Sequence, residues 1–141
     1  MRRYLVTGVA GFIGANVAAA LLRAGHEVVG VDNINDYYDP RIKRANLSSL
    51  GSAARLHEGD IRSRDFIQKT ISQGRFDAII HLAARAGVRP SLKDPQLYID
   101  TNITGTHNLL AAAHRSGIGR FLFASSSSVY GLAKTVPFTE D

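Results

Sequence analysis

Thr7-Gly8-Val9-Ala10-Gly11-Phe12-Ile13-Gly14 places three glycines on a Gly-x-x-Gly-x-x-Gly spacing between an apolar strand and an apolar helix. Residues 3–7 (Arg-Tyr-Leu-Val-Thr) read as a buried strand, and Ile13, Val17, Ala20, Leu21 and Ala24 recur at helical spacing, so the glycines fall at a strand-to-helix turn. That context is what a bare glycine pattern lacks. Gly8 permits the tight turn, Gly11 lets the backbone approach a pyrophosphate, and Gly14 lets the helix pack closely against the sheet. A pyrophosphate then meets the free N–H groups of the helix start, so the stretch predicts dinucleotide binding.

Outward from this turn, strands and helices alternate. Residues 27–32 (Glu-Val-Val-Gly-Val-Asp) predict a second buried strand, residues 41–50 a short helix after Pro40, and residues 54–58 a third strand. Ser63 caps a helix running to about Gln73, with Phe66, Ile67, Thr70 and Ile71 on one face. Residues 76–82 form a continuous apolar strand, and residues 120–124 a fifth. Between them Asp94 and Pro95 open a long helix with a predicted buried stripe of Ile99, Ile103, Thr106, Leu110 and Ala113. Strands buried on both faces and separated by helices predict an α/β fold, a doubly wound parallel sheet of the Rossmann type. Right-handed crossovers give the strand order 3-2-1-4-5. Residues 134–141, with Pro137 and polar neighbours, do not read as a sixth strand, so the fifth is expected to leave an edge open to a second copy or another chain.

Composition narrows the function. A chain of 141 residues with 45% hydrophobic content supplies one core and one domain, residues 1–141. The absence of cysteine excludes a disulfide framework, a thiolate metal site and a cysteine nucleophile. Neither a signal peptide nor a membrane span is visible in the sequence, so a cytoplasmic protein is expected. The formal charge of +5 is spread over scattered basic residues, with only Arg41, Lys43 and Arg44 clustered, which argues against a nucleic-acid partner.

Further stretches follow in order: Asp32-Asn33-Ile34-Asn35-Asp36-Tyr37-Tyr38-Asp39, Gly59-Asp60-Ile61, His81-Leu82-Ala83-Ala84 and Ser125-Ser126-Ser127-Ser128-Val129-Tyr130-Gly131. With the glycine turn they resemble the extended short-chain dehydrogenases/reductases. The Asp32 to Asp39 stretch and Ala84-Arg85-Ala86-Gly87-Val88-Arg89 are most similar to the UDP-glucuronate 4-epimerases within the NAD-dependent sugar-nucleotide epimerases and dehydratases. The resemblance implies NAD as cofactor and a UDP-sugar as substrate. Gly8, Gly11, Phe12, Ile13 and Gly14 would then face the cofactor, and Asp32, with Asn33 beside it, would accept both ribose hydroxyls of the adenosine half. That carboxylate favours NAD over its 2'-phosphorylated form. Asp60 and Ile61 would flank the adenine ring, and Leu82 with the small Ala83 and Ala84 would let the fourth strand's end approach the nucleotide. His81 has no metal partners nearby in sequence and reads as structural. Asn102 resembles a family asparagine near the nicotinamide, or is an ordinary polar helix position. Arg85 and Arg89, in the loop after the fourth strand, would grip a sugar carboxylate or a phosphate, or are solvated surface charges.

In the family resembled, a serine four positions before the strand-end tyrosine bonds the hydroxyl being oxidised. That position is Ser126, with Ser125 on the cofactor side and Ser127 and Ser128 on the sugar side. Outside this context a serine run would be a turn. Related 4,6-dehydratases carry an Asp-Glu pair where this chain has Ser127 and Ser128, because elimination of water needs an acid and a base there. Tyr130 and Lys134 match the Tyr-x-x-x-Lys spacing of the family's proton-abstracting pair, but Gly131 and Pro137 disfavour the helix that would put both on one face. They are therefore read as a decoy, with the family's pair lying further along a longer chain and this chain inactive alone. A stand-alone NAD-binding or redox-sensing module, and a partner-dependent remnant with an exposed sheet edge, are the competing expectations.

Overall fold

In the first strand the side chains diverge to opposite faces. Leu5 enters one apolar cluster with Val29, Val31, Ile67, Ile79 and Leu109, and Val6 enters another with Val9, Ala18, Val28 and Leu50. Period-two alternation thus fills two cores at once. The computed structural model describes residues 1–140; Asp141, last in the stretch with no sixth strand, lies outside the described residues.

Five parallel strands are described: β1 (Arg3–Thr7), β2 (Glu27–Asp32), β3 (Ala54–Glu58), β4 (Ala78–His81) and β5 (Phe121–Phe123). They lie in the order β3-β2-β1-β4-β5, with Leu5 opposite Val29 and Ile79, as the alternating pattern predicts. The helices are α1 (Phe12–Arg23), α2 (Pro40–Leu50), α3 (Arg64–Gly74), α4 (Val88–Lys93), α5 (Pro95–Tyr98) and α6 (Thr106–Arg115), with a π-helical segment at Ile99–Gly105. One core lies against α1 and α2, the other against α3 and α6. Ser63 caps α3 by accepting from the Phe66 N–H at 3.4 Å, as its position before the apolar stripe predicts. Among the described residues β5 pairs only with β4, and Leu122 and Phe123 stay exposed.

Three expectations are corrected. In α1 the buried positions are Gly14, Ala15 and Ala18, while Ile13 is 59% exposed: small residues face the sheet because the helix starts almost on top of the glycine turn. Residues 88–93 form the helix α4 rather than loop, so Arg89 lies on a helix. The long helix is not α-helical throughout. Its π-helical segment closes wider turns and rotates everything after it, so Asn108, Leu109, Ala112 and Ala113 are buried while Ile99, Ile103 and Leu110 face outward.

The ends of β1 and β4 are joined by His81, which is fully buried. Thr7 Oγ1 accepts from the Leu82 and Ala83 N–H groups, both at 3.2 Å, and lies 2.6 Å from His81 Nδ1. His81 Nε2 lies 2.9 Å from Thr106 Oγ1, whose own proton goes to the Asn102 carbonyl at 2.6 Å. Thr106 must therefore accept from His81, so the imidazole is neutral, protonated at Nε2, and accepts the Thr7 hydroxyl at Nδ1. The ring also packs against Phe121 and Phe123.

Burial pushes the His81 pKa down from 6.5 to about 4. Between those two values the unfolded chain binds a proton at this ring and the folded chain does not. The stabilisation is complete above pH 6.5 and drains away as pH falls toward 4. Folding free energy from urea titration should drop by about 3 kcal/mol across that window on account of this group. The His81 ring resonances should titrate near pH 4 in the folded protein, and a midpoint near 6.5 would contradict the assigned hydrogen bonding.

Candidate functional site

The carboxyl ends of β1, β2 and β4 open onto a crevice, the usual ligand position in an open parallel sheet. Gly8 makes the turn with φ of +70°, and a Cβ there would stand 2.8 Å from the Ala83 backbone nitrogen. Its N–H donates to the Val31 carbonyl at 2.8 Å. A Cβ on Gly14 would run into the Gly8 carbonyl, so that position too demands glycine. The turn leads directly into α1, whose capping residue Gly11 makes no side-chain cap and whose first turn carries no acidic residue. Its unpaired N–H groups are left for an anion.

A cavity of about 140 Å³ runs along this edge, lined by Gly8, Gly11, Asp32, Lys43 and Asp60 among others. Asp32 is 7% exposed. Each of its oxygens accepts one backbone N–H, from Ala10 at 3.1 Å and from Ile34 at 2.9 Å, leaving lone pairs on both. Lys43 Nζ lies 3.7 Å away, donates to Asn35 Oδ1 at 3.0 Å and stands 5.1 Å from the centre of the Tyr38 ring. The Tyr38 hydroxyl is shifted upward by burial and by the Asp32 charge. Asp60 accepts from the Arg62 guanidinium at 2.8 Å and from Asn33 Nδ2 at 2.9 Å. Burial raises its pKa, but these bonds and the Arg62 charge outweigh burial and hold it at about 2. Asn108, on α6, fixes the same loop by donating to the Ile61 and Arg62 carbonyls.

A second cavity of about 510 Å³ lies beyond β4, bordered by Tyr98, Asn102, Thr106, Ser125 and Ser126. Ala83, Ala84 and Arg85 line both cavities, so residues 83–85 are the wall between them. That wall is held firmly. Asn102 accepts from the Arg85 N–H at 2.8 Å and donates to the Arg85 carbonyl at 2.9 Å. The hydroxyls of Tyr37 and Tyr98 both donate to the Ala86 carbonyl at 2.7 Å, and the Arg85 guanidinium lies over the Tyr37 ring.

The residues singled out in the sequence divide accordingly. Gly8, Gly11, Asp32, Asn33, Asp60, Ile61, Leu82, Ala83, Ala84 and Arg85 border the first cavity. Asn102, Ser125 and Ser126 border the second. Phe12 and Ile13 are exposed on the first turn of α1, and Arg89 is exposed on α4, lining neither cavity. Ser126 caps a 3-10 turn at Ser127–Tyr130, accepting the Ser128 N–H. Tyr130 stacks on Phe138, and no helix carries it together with Lys134. Sequence reading missed Lys43, Tyr37, Tyr98, Thr7 and Thr106. Lys43 was hidden in a surface-like basic cluster; its signal was a lysine one turn into a helix capped by Asp39, facing back to the end of β2.

Comparison with known proteins shows similar sequences and the same fold elsewhere. The family model described as GDP-mannose 4,6 dehydratase matches residues 5–141. A UDP-glucuronate 4-epimerase of Thermodesulfobacterium geofontis is 45% identical over 143 aligned positions, covering all of this chain and 44% of the relative. Two solved structures superpose on it with TM-scores of 0.86. One, a UDP-glucuronic acid 4-epimerase from Bacillus cereus, is a tyrosine-to-phenylalanine variant complexed with a 4-fluoro substrate analogue and NAD; it is 38% identical over 99% of this chain and 44% of its own. The other, a UDP-glucose 4-epimerase from Stenotrophomonas maltophila with NAD and formylated UDP-arabinopyranose, is 34% identical over 99% of this chain and 41% of its own. The chain thus spans less than half the length of each. With the parallel sheet, the glycine turn and a family match over nearly its whole length, the chain belongs to the GDP-mannose 4,6 dehydratase family.

Proposed function

We propose that this chain is the NAD-binding part of a UDP-sugar 4-epimerase acting on UDP-glucuronate. The observation that carries the reading is the shared wall of residues 83–85, with a buried carboxylate on one side and the Ser125–Ser126 edge on the other. A cofactor and a sugar would meet across it.

The residues fit NAD. A Cβ at Gly8 or Gly14 would collide with backbone, so the tight turn that brings the start of α1 to the crevice requires glycine there, and that helix start offers N–H groups to a pyrophosphate. Asp32 retains a lone pair on each oxygen for the two ribose hydroxyls. A 2'-phosphate would set a second anion against this buried carboxylate, so the unphosphorylated dinucleotide is preferred. Asp60 stays ionised and acceptor-only through the physiological range, as an adenine amine requires. Ser126 would bond the sugar hydroxyl under oxidation. Bound NAD supplies a reversible hydride store, which allows C4 to be oxidised and then reduced on its other face.

Epimerisation is favoured over elimination of water although the family model is named for a dehydratase. Ser127 and Ser128 stand where elimination would need an acid and a base, and neither hydroxyl supplies one near neutral pH. The proton-abstracting tyrosine and its lysine are not formed by Tyr130 and Lys134, which share no helix. We assign that pair, and most sugar contacts, to the longer part of the relatives that this chain does not match. The 141 residues by themselves bind without turning over.

Calorimetric titration should show NAD binding more tightly than its 2'-phosphate form; the reverse order would sink the role of Asp32. Asp32→Asn should weaken NAD by about tenfold and narrow that preference, because charge-assisted bonds to the ribose become neutral ones. Incubation of this chain with NAD and UDP-glucuronate should yield no UDP-galacturonate by chromatography. Substantial product would instead make Tyr130 the base.

A further inference from the structure

We infer that His81 and Thr106 are positioning residues for the site: through the π-helical turn they hold Asn102 on the backbone of Arg85, and so fix the wall between the two cavities. A chain of direct contacts supports this. Thr7 Oγ1 to His81 Nδ1 spans 2.6 Å, His81 Nε2 to Thr106 Oγ1 spans 2.9 Å, and Thr106 Oγ1 to the Asn102 carbonyl spans 2.6 Å. The same Asn102 then uses both ends of its carboxamide on the N–H and carbonyl of Arg85.

Every link has one polarity. Thr7 has its acceptor capacity filled by the Leu82 and Ala83 N–H groups, so its proton points to His81. Thr106 gives its proton to Asn102 and therefore takes the one on Nε2. A hydroxyl donating one turn back often bends a helix, and here it donates to the turn from which Asn102 projects, which is π-helical. Wide π turns recur at functional sites because they re-aim a side chain that a regular helix would carry elsewhere. Periodicity through Gly105 would present the stripe Thr106, Leu110 and Ala113 to the core; the observed winding buries Leu109 and Ala112 beside Ala113, turns Leu110 outward and leaves Thr106 at the rim of the second cavity, within reach of His81. The wall carries Arg85 and borders both cavities, so its placement controls where cofactor and sugar meet. This last step rests on the proposed function; the mechanical coupling does not.

The test measures amide hydrogen exchange at Arg85 in the full chain for wild type, Thr106→Val, Thr106→Ser, Asn102→Ala and the Thr106→Val/Asn102→Ala double variant. Loss of the Thr106 hydroxyl should speed exchange at Arg85 by about fivefold to tenfold, the worth of about one hydrogen bond, while Val6 and Ile79 in the sheet keep their protection. Serine should restore the wild-type rate, and the double variant should exchange no faster than Asn102→Ala alone. Unchanged exchange at Arg85 in Thr106→Val, equal acceleration at Arg85 and in the sheet, or additive effects in the double variant would each overturn the inference. NAD affinity measured on the same proteins should fall several-fold in Thr106→Val and return in Thr106→Ser. If wild type shows the exchange coupling but no NAD binding, the cofactor assignment fails and the coupling stands.

Discussion

The hydrogen bond between Thr7 and His81 is the constraint on which the rest of the site depends. At that point β1 and β4 both end, with the Leu82 N–H still donating to the Thr7 carbonyl at 3.2 Å. Thr7 Oγ1 then takes the Leu82 and Ala83 N–H groups together and turns its proton onto His81. A buried N–H group left unpaired would cost of order 1–3 kcal/mol, so this hydroxyl stabilises the level at which the strands stop. Because they do stop together, Gly8 and Ala83 approach each other closely enough to exclude any side chain on Gly8. The crevice is the space left where the two turns diverge.

Charge is distributed along that crevice with the same economy. The two buried or half-buried carboxylates, Asp32 and Asp60, each face a cation at the adenosine end: Lys43 for the first, Arg62 for the second. The pairings differ in kind. Arg62 is a short, partly exposed clamp two residues from its partner, whereas Lys43 arrives from a separate helix and makes its close bond to Asn35 rather than to Asp32. A carboxylate held by two backbone N–H groups and a more distant ammonium keeps lone pairs free on both oxygens to accept hydrogen bonds from hydroxyls.

Much of the fold was legible because its signals are local. The order of the sheet follows from strands alternating with helices and the hand of crossovers, and the bounds of β2 coincide with its apolar run. What escaped was set by tertiary contacts. Nothing in the sequence of residues 99–105 announces a π turn, and the contact between Thr106 just after it and His81, 25 positions earlier, is equally invisible to periodicity. The helix α4 was obscured by Pro90, which it accommodates in its first turn, where no intrahelical N–H is needed. Ile13 was assigned to the buried face by periodicity, but the crowding of α1 onto the glycine turn gives that face to Gly14, Ala15 and Ala18. The glycine turn, Asp32 and the serine edge were visible; Lys43, Tyr37 and Tyr98 were not, because basic and aromatic residues on a polar stretch look like surface until the chain folds them inward.

The two phenols that share the Ala86 carbonyl carry a consequence for spectroscopy. The chain has no tryptophan and five tyrosines, so its intrinsic emission comes from phenol rings alone. Tyr37 and Tyr38 border the first cavity and Tyr98 the second, so three of the five rings stand beside the site. Tyr37 and Tyr98 are held dim by their bonds to the Ala86 carbonyl, because hydrogen bonding of a phenol to a carbonyl quenches its fluorescence, and release of that carbonyl makes the dividing wall its own optical reporter without a label.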